Sequence, residues 1–319
     1  MGEIVNRDVG IKYLYSLMKI DSIKIASSLE NFIREYMENL ERNGIILGLS
    51  GGIDSAVVAA LCKEAVGSDK VLVLIMPEKD SRGEHVEDAQ LLAKNLDLKA
   101  KLLDISPILK KMNVYRLFAL NKLPLPDKHK EKVVKKTYDY YEKQTGESPF
   151  SASILGFKDK NFRSQLQNNN AYYRAKHRIR MVLLYLYAEL ENRLVVGCAN
   201  KTETQIGFFV KHGCDDASDI MPLLNLYKTQ VRELARYLEI PSAIQNKPPS
   251  PDIIPGIIDE EAIGISYDKL DIILLGLETG WNISELANAL GVEDKKVLSV
   301  KKMIEKSEHM RKIYVPQFF

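Results

Sequence analysis

The sequence predicts an α/β protein, a parallel sheet carrying helices on both faces, and three observations predict it. Short apolar runs rich in branched residues recur at 45–49, 71–76, 101–105 and 194–198. Helical periodicity occupies segments between them, such as 55–66 and 84–96. A glycine-rich turn, GLSGGIDS at 48–55, stands where the first run passes into the first of these helices. Strand–helix alternation requires crossover connections, which pair strands in parallel and lay helices on the sheet.

Taken in order, the elements read as follows. From 21 to 43, Ile25, Leu29, Phe32, Ile33, Tyr36, Met37 and Leu40 repeat at helical spacing, with Gly44 as the stop. The four strands and their helices then alternate up to about residue 105. Residues 106–170 break the pattern: they hold 13 Lys/Arg against 6 Asp/Glu, include LPLP at 123–126, and end in Asn168-Asn169-Asn170. This stretch reads as a basic insertion in a single domain spanning 1–319, partly helical around Val133-Val134 and Tyr138-Tyr140-Tyr141. A strong helix at 171–190 leads back to the last strand. The tail, 266–319, reads as helices, and Asn282-Ile283-Ser284-Glu285 carries N-cap chemistry.

Composition narrows the function. A chain of 319 residues, 45% of them hydrophobic, can bury a substantial core. A net charge of +2 is too mild to point to a nucleic-acid or membrane partner. The longest apolar runs fall well short of the roughly 18 residues of a spanning helix, and MGEIVNRDVG lacks the apolar centre of a signal peptide. Cys62, Cys198 and Cys214 show no C-x-x-C spacing, and His85, His129, His177, His212 and His309 show no H-x-x-x-H spacing. Disulfides and a histidine-built metal centre are therefore unsupported, whereas oxygen ligands remain open. A cytoplasmic enzyme or binding protein is expected.

Ser50 admits two readings. As G-x-S-x-G, Gly48, Ser50 and Gly52 form the nucleophile elbow of a serine hydrolase. As S-G-G-x-D-S, the same residues wrap a phosphate. An elbow needs several strands and an oxyanion loop upstream, and only about one helix precedes Gly48. A phosphate loop needs glycines for close approach, hydroxyls to donate and a helix N-terminus facing the anion, which Ser50, Gly51, Gly52 and Ser55 supply. A plain glycine turn with a capping serine is the bland alternative. Against it stands Asp54, an acid beside an anion site, which makes sense chiefly with a divalent cation between them.

The loop SGGIDS resembles that of the ATP pyrophosphatases, which split ATP between its α- and β-phosphates. GCANKTETQIGFFVKHGCDDASDIMPLLNLYKTQ at 197–230 is similar to the signature of ammonia-dependent NAD synthetases, as are RIRM at 178–181, NKPPSPD at 246–252, DEEAIGISYDKLD at 259–271 and SEHMR at 307–311. The resemblance implies a Rossmann-like, adenine nucleotide alpha-hydrolase-like fold. It also implies an ATP-dependent ligase that adenylates the nicotinate carboxylate of deamido-NAD and displaces AMP with ammonia to give NAD. It places ATP on Gly48, Ser50, Gly51, Gly52, Asp54, Ser55, Met76, Lys228 and Ser250, the last standing where the family usually has threonine. Magnesium falls to Asp54 and Glu203, and catalysis to Asp54, Glu203 and Lys228. Deamido-NAD falls to Arg178, Lys211, Asp215 and Asp219. It further implies a homodimer, with ammonia supplied free or by another protein.

Three departures stand out. Arg174 occupies a position where the family motif usually carries asparagine, GCDDASD is one residue longer than the family's pattern, and Cys198 replaces a threonine. Some tRNA-thiolating members of the superfamily use cysteine nucleophiles. The competing reading is therefore an ATP-dependent tRNA-modifying enzyme, favoured by the basic insertion and Cys198 and opposed by the lack of C-x-x-C. A nucleotide-binding regulator without turnover is the third reading, opposed by the joint presence of Asp54, Glu203 and Lys228.

Overall fold

Gly44–Gly48 (β1), Val71–Ile75 (β2), Lys99–Leu102 (β3) and Arg193–Val195 (β4) form one parallel sheet in the order β3-β2-β1-β4. The computed structural model describes residues 7–118, 120, 127–156, 160–214, 216–248 and 256–316. Ile45 pairs with Val71 on one side of β1 and with Leu194 on the other. Alternation along the central strands feeds two cores. Ile45, Leu47, Val71 and Val73 face one apolar cluster, and Ile46, Leu72 and Leu74 face another, so both sheet faces are covered.

The first face packs against Ser22–Asn39 (α2), Ile53–Val66 (α3), Gly83–Asn95 (α4) and Lys228–Tyr237 (α10). Asp21 caps α2 by accepting from the Lys24 amide at 3.2 Å. Gly44 does not stop this helix, contrary to the sequence reading. The helix ends at Asn39, Glu41 takes a left-handed φ of 50°, and Gly44 opens β1. The glycine is required for another reason: a Cβ there would lie 2.4 Å from the Lys70 carbonyl oxygen. Arg7–Met18 (α1), which the sequence reading did not assign, buries Leu14 in a core shared with the C-terminal helices.

The second face is covered by Ser106–Lys111 (α5) and by Lys160–Glu191 (α8), a helix of 32 residues of which the expected 171–190 is only the latter part. β3 ends earlier than expected because Asp104 turns the chain, accepting the Ser106 amide at 2.8 Å as α5 begins. β4 likewise stops at Val195, and Val196 then bridges to Ile220. Between α5 and α8 lie Asp127–Thr145 (α6) and Pro149–Leu155 (α7), so the region 106–170 is more helical than the sequence suggested. α6 docks on Asp259–Ile263 (α12): Tyr138 donates to the Ala262 carbonyl at 3.1 Å and Lys135 pairs with Glu261 at 2.8 Å. The LPLP motif lies outside the described residues.

Lys201–Ile206 (α9) and Ser242–Gln245 (α11) flank α10 along the chain. Tyr267–Glu278 (α13), Ile283–Leu290 (α14), Asp294–Lys306 (α15) and Glu308–Arg311 (α16) build a separate helical core. Asn282 caps α14 in a reciprocal box with Glu285, as its sequence indicates.

One surface network ties the layers. Glu191, at the end of α8, accepts Lys101 of β3 and Arg193 of β4, each at 2.8 Å, and these bonds pull its carboxyl down to about 2. A depressed folded-state pKa stabilises the protein above the ordinary carboxylate range, and that contribution fades as pH falls toward 2. Glu191→Gln is therefore expected to lower stability near pH 7 by about 1 kcal/mol, given partial solvent screening. Urea titrations from pH 7 to 3 should show the gap between variant and wild type closing; a constant gap would count against the ion-pair account.

Candidate active site

β1 connects outward through β2 to β3, whereas β4 lies on the other side of β1, so the order reverses between β1 and β4. Open parallel sheets bind ligands at such a reversal, beyond the carboxyl ends of the strands. A cavity of about 460 Å³ occupies this place, reaching from the loop after β1 to α6 and α8.

The loop after β1 is built for an anion. Ser50 Oγ lies 3.0 Å from Ser55 Oγ and accepts the Gly52 amide at 3.2 Å, while Ser55 Oγ donates to the Gly52 carbonyl at 3.0 Å. Gly51 has a left-handed φ of 78°, and a Cβ there would lie 2.3 Å from the His85 carbonyl oxygen. Only glycine lets the loop fold this tightly over the N-terminus of α3. Ser50 bonds to loop atoms rather than to a histidine, which removes the support for a nucleophile elbow. Ser50→Ala is expected to weaken binding of a phosphate-bearing substrate about ten- to a hundredfold, the scale of one hydrogen bond to a charged group. Loss of all activity together with fluorophosphonate labelling of the wild-type serine would restore the elbow.

Beside the loop sits a buried charge cluster. Lys228, at the start of α10, donates to Asp54 Oδ2 at 2.5 Å and to Glu203 Oε1 at 2.8 Å. Asn200 Nδ2 donates to Asp54 Oδ1 at 3.0 Å, and Asn200 Oδ1 caps α9 by accepting the Glu203 amide at 3.0 Å. One asparagine thus places both acids. Burial opposes the charge on Lys228, but the carboxylates of Asp54, Glu203 and Asp259 outweigh it and hold the ammonium above its ordinary pKa. Burial raises the Glu203 carboxyl, with the Asp54 charge adding and the Lys228 charge opposing.

The Tyr267 hydroxyl lies 3.0 Å from both Glu203 Oε1 and Asp259 Oδ2. A phenol has one proton to give, so both contacts are hydrogen bonds only when one carboxyl is protonated. Asp259 fits that role: burial, then the Glu203 charge, push it up to about 7. Its Oδ1 is buried with no hydrogen-bond partner among the described residues. Behind the cluster, Asp271 accepts Thr202 Oγ1 at 2.6 Å and the Thr229 amide at 2.8 Å, and Thr202 Oγ1 accepts the Lys228 amide at 2.9 Å. α9, α10 and α13 are thereby locked to one another. Asp259, Tyr267 and Asp271 were missed as site residues. The signal was present in Asp271, an acid followed directly by the apolar run Ile272–Leu275.

The structure brings Gly48, Ser50, Gly51, Gly52, Asp54, Ser55, Met76, Glu203 and Lys228 to one cavity. The other five sequence candidates are placed differently or lie outside the described residues. Arg178 donates through Nε to the Lys211 carbonyl at 3.3 Å, and Lys211 Nζ donates to the carbonyls of His309 and Lys312 at 2.7 and 2.8 Å. Asp219 accepts the Val195 amide at 2.8 Å and the Tyr185 hydroxyl at 3.2 Å. None of these three lines the cavity. Ser250 and Asp215 lie outside the described residues. Cys198 and Cys214 line the cavity, and Cys214 Sγ is 3.4 Å from His177 Nδ1. Cys62 is buried apart from them in the main core, and burial pushes its thiol up. Among the described residues, no three His, Cys, Asp or Glu side chains converge as a ready-made metal site.

The chain matches the family model described as NAD synthase over residues 25–121 and 120–314. It is 44% identical over 285 residues to the NH(3)-dependent NAD(+) synthetase of Thermotoga maritima, covering 89% of this chain and 96% of that protein. It is 36% identical over 288 residues to that of Methanocaldococcus jannaschii, covering 90% and 94%. Two solved structures superpose over 94% of this chain and all of theirs. They are the NMN synthetase of Francisella tularensis, at 26% identity and TM-score 0.69, and the NH3-dependent NAD synthetase of Campylobacter jejuni in complex with the nitrate ion, at 28% and 0.62.

Proposed function

This chain belongs to the NAD synthase family, and from that premise we propose how its residues amidate deamido-NAD to NAD with ATP and ammonia. The observation that carries the assignment of roles is the buried Lys228–Asp54–Glu203 cluster beside the Ser50–Ser55 loop. The tRNA-modifying reading falls away with the family.

A carboxylate is inert to amines at neutral pH. The nicotinate oxygen of deamido-NAD attacks the α-phosphorus of ATP, forming a carboxyl–phosphate bond as pyrophosphate leaves with the electrons of the broken bridge. Ammonia then adds to the acyl carbon and AMP departs, leaving the amide after loss of a proton. The chain's tasks are to hold phosphates, neutralise charge and keep water out. The Ser50–Ser55 loop receives ATP phosphates through its amides and hydroxyls. Lys228, held by two carboxylates in the free enzyme, follows the negative charge toward the phosphates. Ser250 joins this ATP set only by the family resemblance.

Asp54 and Glu203 fit a hard divalent cation. The Lys228 ammonium already stands between them as a cation, and magnesium is commonly held by one or two carboxylates together with substrate phosphates. When bound there, magnesium would neutralise the oxyanions of ATP. Arg178, Lys211 and Asp219 would contact parts of deamido-NAD extending beyond the cavity, and Asp215 joins this set only by the family resemblance. A homodimer is supported by Val182, Leu186 and Leu190, a stripe of three residues spaced four apart on α8 that are 53%, 49% and 70% exposed. Leu186→Glu should shift the sedimentation coefficient to that of a monomer; an unchanged dimer would rule out this face. The cytoplasmic location belongs to the same reading; among the described residues no helix is long and apolar enough to cross a membrane.

The deciding assay mixes the full chain with ATP, magnesium, ammonium and deamido-NAD. NAD and pyrophosphate are expected in equal amounts, each dependent on deamido-NAD. Pyrophosphate release indifferent to deamido-NAD would overturn the reading.

A further inference from the structure

We propose that Arg174 receives the diphosphate of the dinucleotide substrate, a specificity contact this chain has where the family motif usually carries asparagine. The proposal rests on the NAD-synthetase reading and goes beyond it in assigning a residue that the family pattern does not supply.

The cavity is lined by four arginine or lysine side chains, Arg174, Arg180, Lys228 and Lys247. Three are committed. Arg180 Nε donates to the Met76 carbonyl at 3.1 Å, Lys228 bridges Asp54 and Glu203, and Lys247 pairs with Asp88. Arg174 makes no hydrogen bond or ion pair with any described residue. Among the described residues its resolved electrostatic neighbour is Arg178, and burial followed by that like charge pushes its guanidinium below the ordinary pKa. A guanidinium partly withdrawn from water and beside a second one is unfavourable in the free enzyme. An arriving oxyanion removes both penalties, and the planar fork of arginine matches phosphate in a bidentate manner.

Position distinguishes the two phosphate-bearing substrates. Arg180 reaches the carbonyl that follows β2, at the carboxyl end of the sheet where the Ser50–Ser55 loop also lies. Six residues earlier on α8, a rise of about 1.5 Å per residue sets Arg174 about 9 Å farther along the helix axis. The same cavity is lined by Asn170 and Tyr173 of α8 and by Tyr138 and Tyr141 of α6. Amides and aromatic rings of this kind suit a sugar and a flat base. With ATP phosphates on the loop, Arg174 is the station left for the second nucleotide.

The test is steady-state kinetics on the full chain, with wild type first required to form NAD from deamido-NAD; failure there refutes the family reading itself. Arg174→Asn restores the usual family residue. It should raise KM for deamido-NAD at least tenfold while KM for ATP stays within twofold, and Arg174→Lys should fall between. Because the guanidinium is uncompensated in the free enzyme, the ligand-free Tm of Arg174→Asn should equal or exceed that of wild type, and the Tm rise on adding deamido-NAD should shrink. An unchanged KM for deamido-NAD overturns the proposal while leaving the reaction intact. A rise confined to KM for ATP moves the contact to the other nucleotide and also overturns it, and a lower ligand-free Tm marks a structural arginine.

Discussion

Lys228→Met is expected to reduce kcat/KM about a thousandfold or more and to destabilise the fold, because the same ammonium serves both. Removal of one preorganised donor to a transition state typically costs about a hundred- to a thousandfold, and here the carboxylates left behind would also repel the incoming phosphates. Breaking a buried ion pair by deleting one partner costs about 3–5 kcal/mol. The sign of the pH effect is specific. With the lysine gone, Glu203 and Asp259, whose carboxyls burial already raises, lose the cation that opposes that rise, and the folded state tolerates them best when protonated. Acids with raised folded-state pKa values lose stability as pH rises, so the variant should be closer to wild type at pH 5 than at pH 8. Adding Asp54→Asn to Lys228→Met should recover part of the Tm without recovering activity. If Lys228→Met melts like wild type at pH 8, the cluster is not held by this lysine.

Replacing α6, residues 127–145, with a short Gly/Ser linker is expected to uncouple the two halves of the reaction. Val133, Val134, Thr137, Tyr138 and Tyr141 of this helix line the cavity, and the helix is fastened across it to α12. Without that wall, water reaches the adenylate, which hydrolyses back to deamido-NAD and AMP. Pyrophosphate should then exceed NAD, with KM for deamido-NAD raised about tenfold as apolar contact area is lost. A ratio that stays at one in the shortened enzyme would make α6 a surface elaboration.

The charge of 106–170 does not foretell this wall, for a physical reason. Most of the described lysines there are exposed, and a residue count cannot reveal that Tyr138 and Tyr141 turn inward. The α/β class was legible because alternation of strands and helices leaves few ways to close a sheet. The meeting of Asp54 and Glu203 was legible for a related reason, since residues just past parallel strands converge at one end, whereas Lys228 was placed with them only by the family resemblance. Asp259 and Tyr267 were not, because whether a polar side chain on a short helix faces water or the site depends on what packs over it. Gly44 was misread because glycine serves both to end helices and to admit a neighbouring carbonyl. Only the placement of Lys70 decides between them.

The strand order has a consequence for the birth of the protein. β1 pairs with β2 after a short crossover, but its other edge waits for β4, Ile45 being matched to Leu194, and Asp54 waits for Lys228, 174 residues later. A nascent chain emerging from the ribosome therefore carries an unpaired apolar strand edge and an unmatched acid until more than half of it has been made. Exposed edges of this kind recruit other strands. Fragments ending before residue 193 should accumulate in aggregates or on chaperones. Synthesis through α10 should release them.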